Sequence, residues 1–165
     1  MEPCRVLALC TSVLALTCLL VALSTDYWYL VIGAHFTAHS GIWSKDPSES
    51  VRGSVRVTQG FGVVAALWGV VAVVFLGMSY IPALSAPGRG PIVSCFTAFA
   101  AALSTVVALA VYTSMRWSQP THAQIQSLFS WSFYVGWTST VLFLITGSLS
   151  LGAHFRAHQT SYDNM

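Results

Sequence analysis

Residues 57–88 read VTQGFGVVAALWGVVAVVFLGMSYIPALSAPG, and a single arginine, Arg89, separates them from a second uncharged stretch at 90–115. Two other stretches, 6–25 and 117–155, also lack Asp, Glu, Lys and Arg. A helix needs about 20 mostly apolar residues to cross a hydrocarbon core roughly 30 Å thick, because its backbone must hydrogen-bond within itself there. The pattern predicts an all-α membrane fold of four spans, a single domain over 1–165. The predicted spans are residues 6–23, 58–80, 92–114 and 129–151.

The composition agrees with a membrane environment. Charged residues make up 7% of the chain and apolar residues 55%, whereas about 25% of an ordinary soluble domain is charged. The net charge of +2 includes no basic run. We therefore expect membrane lipids as surroundings, and neither a nucleic-acid partner nor a polybasic lipid-binding patch.

The first apolar stretch has two interpretations. Ala22-Leu23-Ser24 resembles the small-residue cleavage site of a signal peptide. The apolar run at 6–23, however, is longer than the apolar core of a typical signal peptide. We predict that this stretch is retained as the first span.

An even number of spans places both termini on one side of the membrane, called here the terminal side. The loops at 24–57 and 115–128 then lie on the opposite side, called the loop side. Lys and Arg number three on the terminal side and four on the loop side, so the positive-inside rule does not decide the orientation. The Pro- and Gly-rich segment 82–91 predicts a tight reversal that makes spans two and three antiparallel neighbours.

The first loop is predicted to form a small antiparallel β-sheet on the loop side. Residues 27–32 are rich in aromatic and β-branched side chains, and residues 51–57 alternate between apolar and polar side chains, as in half-exposed strands. Residues 41–43 are a third, shorter candidate. Several tryptophans at this side predict an aromatic belt at the membrane surface. They are Trp28, Trp43, Trp117, Trp131 and Trp137.

Small residues recur every fourth position in the last two spans, at Ala100, Ser104 and Ala108 and at Gly136 and Thr140. Such faces allow the backbones of neighbouring helices to approach closely. We expect them to pack the interior of the monomer, with self-association of the chain as the alternative.

The sequence offers little support for a role in catalysis or transport. Transporters usually keep an ionisable group within the membrane, and the four predicted spans contain no Asp, Glu, Lys or Arg. Motifs for zinc proteases, serine hydrolases and phosphate-binding loops are absent from the sequence. We predict no enzyme, no cofactor and no metal site. The loop histidines His35, His39 and His122 are interpreted as solvated, with titration in an acidic lumen as the alternative.

The four cysteines lie in or beside spans one and three, so the first loop contains no cysteine and no disulfide can brace it. Cys4, at the terminal-side boundary, and Cys95, one turn into span three, are candidates for S-palmitoylation. The alternative is that each thiol packs as a small hydrophobic group.

The tail at 153–165, expected to be flexible, ends in Tyr162-Asp163-Asn164-Met165. This has the form Tyr-x-x-apolar that clathrin adaptors bind in the cytosol. Such readers hold an extended peptide with the tyrosine ring in one pocket and the apolar side chain three positions on in another. We predict that Tyr162 and Met165 form a sorting motif for a clathrin adaptor, with a tail that binds no adaptor as the alternative. A phosphotyrosine motif is the second interpretation.

Trp28 and Gly41-Ile42-Trp43, between the first two spans, resemble the signature of the claudin and peripheral myelin protein superfamily. That signature continues with two cysteines, which are missing after Trp43. The resemblance implies a claudin-like four-helix bundle bearing a small sheet. Segments 22–28, 39–43, 110–114 and 129–134 resemble a member of this superfamily found in lymphocyte granules.

What that resemblance implies is a noncatalytic protein of the cytolytic granule, lysosomal and plasma membranes that promotes degranulation of natural killer cells and T cells. Its partners would include granule or lysosomal membrane proteins, and both termini would be cytosolic. The first alternative is claudin-like adhesion between cells. The second is a channel or transporter component lined by uncharged groups such as Thr105, Thr138 and Ser148.

Overall fold

The computed structural model describes residues 3–43, 53–81, 89–118 and 126–163. Within these residues the chain forms four helices that are long and apolar enough to cross a membrane. The predicted four-helix architecture is confirmed. Most helices extend past the predicted spans because flanking polar residues also keep helical backbone. The helices are α1 (Pro3–Ser24), α2 (Gly53–Met78), α3 (Arg89–Trp117) and α4 (Trp131–Asp163).

Two side-chain hydrogen bonds show that α1 and α4 are antiparallel neighbours. At the loop end, the hydroxyls of Thr25 and Ser132 lie 2.7 Å apart. Deeper in the bundle, the Thr146 hydroxyl donates to the Thr11 hydroxyl at 3.0 Å. The separation of Thr11 from Thr25 along the sequence equals that of Ser132 from Thr146. The register of α1 against α4 is therefore constant over about four turns.

A three-stranded sheet caps the loop end of the bundle. It consists of β1 (Tyr29–Ile32), β2 (Thr37–Ser40) and β3 (Gln126–Phe129) in the order β2-β1-β3, with both pairings antiparallel. Tyr29 lies opposite Ser40 on one side and opposite Phe129 on the other. The predicted antiparallel sheet is confirmed, and its third strand comes from the second loop rather than from the first.

The strand predicted over residues 51–57 is wrong from residue 53 onward, because α2 begins at Gly53; residues 51 and 52 lie outside the described residues. The half-buried Val55 packs against the core, and Thr58, three positions on, is fully buried. This spacing belongs to one face of a helix. Residues 41–43 follow β2 without forming a strand.

The interior of the bundle changes character along its length. In the loop half it is filled by large side chains, whereas the terminal half is lined mainly by small ones. The buried large residues of the loop half include Leu19, Leu23, Trp28, Ile42, Leu109, Tyr112 and Phe133. The buried small residues of the terminal half include Ala8, Ser12, Ala72, Ser94, Ala98, Ser150 and Ala153.

The small-residue faces predicted on α3 and α4 lie largely in the monomer interior. Ser104, Ala108, Gly136 and Thr140 are buried, and Ala100 is half-buried. A Cβ atom placed on Gly136 would lie 3.2 Å from the side chain of Leu109. The close approach of α3 and α4 therefore uses this face, as expected for packing within one bundle.

Three fully buried serines, Ser12, Ser94 and Ser150, have hydroxyls without a hydrogen-bond partner in the part of the chain that the structure describes. Other buried hydroxyls on these helices behave differently: those of Thr105 and Ser139 donate to a carbonyl three or four residues earlier. A buried hydroxyl without a partner costs about 1–3 kcal/mol of desolvation. Buried polar groups are therefore less completely hydrogen-bonded in the terminal half of the interior than in the loop half.

Replacing these hydroxyls with hydrogen should stabilise the fold. We expect Ser94→Ala and Ser150→Ala each to raise the free energy of unfolding by about 1 kcal/mol, because the desolvation cost disappears and little volume is lost. The matched control is Ser139→Ala, which removes a buried hydroxyl bonded to the Gly136 carbonyl at 2.7 Å and should lower stability. Unfolding of the purified protein in detergent micelles measures all three, and lower stability for Ser94→Ala and Ser150→Ala would contradict the expectation.

Candidate interaction sites at the two ends of the bundle

The C-terminal end of α1 is capped by two indole rings. A helix cannot satisfy its own last carbonyls, and α1 ends at Ser24. The Trp28 Nε1–H donates to the Ala22 carbonyl at 2.6 Å, and the Trp43 Nε1–H donates to the Leu23 carbonyl at 2.7 Å. The two tryptophans of the family-like signature therefore bind adjacent carbonyls at one helix end.

Gly41 and Ile42 bring the second indole into place. A Cβ atom on Gly41 would lie 2.6 Å from the Asp26 Cα and 2.7 Å from its Oδ1, so no larger residue fits at this crossing. Ile42 is fully buried in the core. Its carbonyl accepts a hydrogen bond from the Gln59 Nε2 at 2.8 Å, which ties the end of the hairpin to α2.

The predicted aromatic belt is only partly correct. Trp28 is 2% exposed and lies in the core, with edge-on ring contacts to Tyr112 at 5.1 Å and Phe133 at 6.2 Å. It is buried because its one polar atom has a partner inside. The other tryptophans of the predicted set are exposed, from Trp117 at 83% to Trp137 at 38%, as expected for residues at a membrane surface.

Arg116, in the last turn of α3, clamps the sheet onto the helices. Its guanidinium lies 4.4 Å from the ring centre of Tyr29 and 5.2 Å from that of Tyr112. Nη2 donates to the hydroxyls of Ser40 and Tyr112, both at 3.2 Å. One cation therefore joins α3, β1 and β2 through stacking and directed hydrogen bonds.

The second loop is built into the same cap. Besides the pairing of β3 with β1, the Ser130 N–H donates to the Trp28 carbonyl at 3.0 Å, and the Ser132 N–H donates to the Tyr27 carbonyl at 3.3 Å. Both loops thus form one unit with the start of α4. We call this unit, made of residues 25–43, the end of α3 and residues 126–132, the loop-side cap.

The outer surface of the loop-side cap carries exposed apolar and aromatic side chains. Tyr27 stacks on His39 with ring centres 4.6 Å apart and lies 6.0 Å from the ring of Trp131. Phe36 and Leu128 are more than half exposed. His35 is exposed as well, and His122 lies outside the described residues.

The residues proposed to line a transport path do not converge on one. Thr105 is buried and its hydroxyl donates to the Ala101 carbonyl, whereas Thr138 and Ser148 lie on exposed positions of α4. Their hydroxyls donate to backbone carbonyls of α4 itself. These three groups therefore form no common polar lining through the bundle.

All four cysteines lie within the described residues and all are free thiols. Cys95 is 4% exposed and packs in the terminal half of the bundle, which favours the packing interpretation over acylation at this residue. Cys4 is half-buried at the start of α1, where it stays a candidate for palmitoylation.

The tail differs from the expected flexible segment, because α4 continues as a helix to Asp163. The backbone at Tyr162 is helical, and Met165 lies outside the described residues. The sequence signal for this extension was weak, since residues 158–163 include Thr, Ser and Asp, which are poor helix formers.

The indole caps lead to a prediction about stability. We expect Trp28→Phe to lower the free energy of unfolding by about 1–3 kcal/mol, because it leaves the Ala22 carbonyl without its partner in a buried setting. Trp43→Phe should cost less, since Trp43 is 46% exposed and water can replace its indole. Trp68→Phe, at an exposed position of α2, is the matched control and should change little. Thermal unfolding in micelles checks this order, and equal effects at Trp28 and Trp68 would contradict it.

The arginine clamp leads to a second prediction. Arg116→Lys keeps the charge but loses the planar donor fork that bonds Ser40 and Tyr112 together. We expect backbone amides of β1 to exchange with deuterium at least about threefold faster in this variant, since the sheet loses its link to α3. Arg56→Lys, at an exposed position in the first turn of α2, should leave that exchange unchanged. Unaltered exchange in Arg116→Lys would show that strand pairing alone holds the sheet.

Comparison with known proteins agrees with this architecture. Residues 5–150 match the model of the PMP-22/EMP/MP20/Claudin family. The protein NKG7 of Bos taurus is 58% identical over 163 residues, covering 99% of both chains. NKG7 of Mus musculus is 57% identical and NKG7 of Homo sapiens 52% identical, each over the full length of both chains. The chain, a multi-pass membrane protein by its four spans, therefore belongs to the PMP-22/EMP/MP20/Claudin family.

Proposed function

We propose that this protein is a noncatalytic membrane component of cytolytic granules that promotes granule exocytosis in natural killer cells and T cells. In this proposal the tail binds clathrin adaptors in the cytosol, and the protein acts through contacts with other granule or lysosomal membrane proteins. The observation that carries the proposal is the identity of 52–58% to the three mammalian NKG7 proteins along the whole chain. It supports the granule role that the sequence resemblance implies.

The interior of the bundle supports a role without transport. Its loop half is filled by large side chains, among them Leu19, Leu109 and Phe133. A polar solute would have to displace this packed apolar layer to pass along the bundle axis. Function is therefore assigned to the surfaces of the protein, namely the loop-side cap and the terminal-side end of α4.

The loop-side cap supports binding to a protein rather than to a small ligand. The signature residues Trp28, Gly41 and Ile42 are occupied in holding the cap to the bundle. The side chains left exposed include Phe36, in the turn between β1 and β2, and Leu128, on β3. Exposed apolar groups on such a surface are typical of protein contacts.

Claudin-like adhesion between cells is the alternative that the family itself suggests. The first loop here has no cysteines for the loop disulfide of that superfamily. It is also short, because α1 ends at Ser24 and α2 already begins at Gly53, which leaves little chain for contacts between cells. Expression in cells without junctions separates the two roles, because adhesion predicts enrichment where cells touch and the granule role predicts vesicular staining.

The granule role leads to a prediction in lymphocytes that lack the protein and are supplied with variants. We expect Tyr162→Ala to move the protein from granules to the plasma membrane, because the tyrosine pocket of the adaptor stays empty. Degranulation should fall toward the level of cells without the protein, measured by the appearance of granule membrane markers at the surface. Fluorescence microscopy reports the location.

Asn164→Ala is the matched control, since the adaptor has no pocket for that position of the motif, and it should behave as the unmodified protein. Granule localisation that persists in Tyr162→Ala would remove the adaptor from the proposal. Normal degranulation in cells lacking the protein altogether would overturn the exocytosis role itself.

A further inference from the structure

Helix α4 extends well beyond the membrane-spanning part of the bundle. Its 33 residues correspond to about 50 Å at 1.5 Å per residue, whereas the hydrocarbon core is roughly 30 Å thick. At the loop end it begins at Trp131, next to the cap. The surplus length therefore lies on the terminal side.

The contacts between α1 and α4 show where α4 leaves its neighbour. Thr25 meets Ser132 and Thr11 meets Thr146, so one residue forward on α1 corresponds to one residue back on α4. By the same step Pro3, where α1 begins, lies level with His154. The helix then continues for about nine residues to Asp163, roughly 13 Å beyond the start of α1.

Tyr162 occupies a defined place on this extension. At 100° per residue, positions 144, 151, 155 and 162 fall within about 40° of one another. Leu144, Leu151 and Phe155 are exposed, Phe155 to 59%, and they form an apolar stripe on the outside of α4. Position 162 continues that stripe on the helical backbone.

An adaptor that binds the tyrosine motif as an extended strand cannot bind it while Tyr162 has helical backbone. Tyr162 and Asp163 have helical backbone, whereas an extended-peptide reader binds a strand, in which each residue advances about 3.3 Å instead of about 1.5 Å. In a helix the N–H of Tyr162 is already bonded to the carbonyl four residues earlier. An extended-peptide reader needs such backbone groups free.

The last turns of α4 are only weakly helical by sequence. Thr160, Ser161 and Asp163 are poor helix formers, and Asp163 places a negative charge at the negative end of the helix dipole. The last turn contains no basic residue to offset this. The free energy needed to unwind this segment is therefore small compared with that of unwinding the packed bundle.

We propose that the helical end of α4, residues 156–163, withholds the tyrosine motif, and that adaptors bind the protein only after this segment unwinds to an extended strand. The inference rests on the proposed function, because it concerns regulation of the same sorting motif. Sorting then responds to whatever shifts the helix equilibrium of the tail. A partner that holds the tail helical keeps the protein away from adaptors.

The test uses the full chain in nanodiscs of phosphatidylcholine, titrated with the purified tyrosine-motif-binding domain of a clathrin adaptor. Gln159→Pro removes a helical hydrogen bond just before the motif, and we expect it to raise affinity about fivefold or more. Thr160→Ala with Ser161→Ala strengthens the helix, each by a factor of about two, and should lower affinity roughly fourfold. Gln159→Ala is the matched control for position 159 and should not raise affinity.

A free peptide of residues 153–165 supplies the unwound reference for each variant. If peptides of all variants bind alike while the full chains differ in the stated order, the helix equilibrium controls access. Equal affinity of the full-length chains, with Tyr162→Ala abolishing binding, would overturn this inference and leave the sorting motif in place. Failure of the unmodified peptide to bind would instead remove the motif from the proposed function, and this inference with it.

Discussion

The last turn of a helix leaves carbonyls that the helix cannot pair itself, so donors from elsewhere in the molecule or from water must satisfy them. At the end of α1 the donors are the indoles of Trp28 and Trp43. These two residues are well separated along the chain, so the segment between them must leave the helix end and return to it. The β1–β2 hairpin is that return path, and Gly41 is the point where it crosses Asp26 too closely for any side chain. The family-like signature is thus explained by the requirements of one helix end.

The same cap is held without covalent bonds. The two indole bonds, the Gln59 bond to Ile42 and the Arg116 clamp link the loops to α1, α2 and α3. Hydrogen bonds contribute about 0.5–1.5 kcal/mol each, and those from charged groups about 1.5–3 kcal/mol, so together they contribute at least as much as the roughly 2–4 kcal/mol of a typical disulfide. A cap of this kind does not depend on an oxidising compartment. The stability of the cap therefore does not rest on a disulfide.

The sequence predicted the helices well because charge-free stretches long enough to cross the hydrocarbon core leave few alternatives in a membrane. It predicted the sheet only in part. Alternation over residues 51–57 was too short to distinguish a strand from the first turns of α2, and β3 depends on pairing with a strand far earlier in the chain. Trp28 was assigned to the membrane surface because composition alone does not reveal that its nitrogen has an internal partner. The role of Arg116 likewise depends on three elements meeting in space.

The two ends of the bundle differ in how completely their polar groups are satisfied. At the loop end the described side chains form a dense set of directed bonds around a core of large residues. At the terminal end the interior is lined by small residues, three fully buried serines have hydroxyls without a partner among the described residues, and α4 projects past α1. A partner that binds the loop-side cap meets a preformed surface, so its affinity depends on the contacts it makes there. If the tail is read as an extended strand, a partner on the terminal side must first unwind a helix, and its affinity falls with the fraction of helix present. On the terminal side, a change in the helix fraction of the tail would then change the affinity of a partner without any change in the residues that contact it.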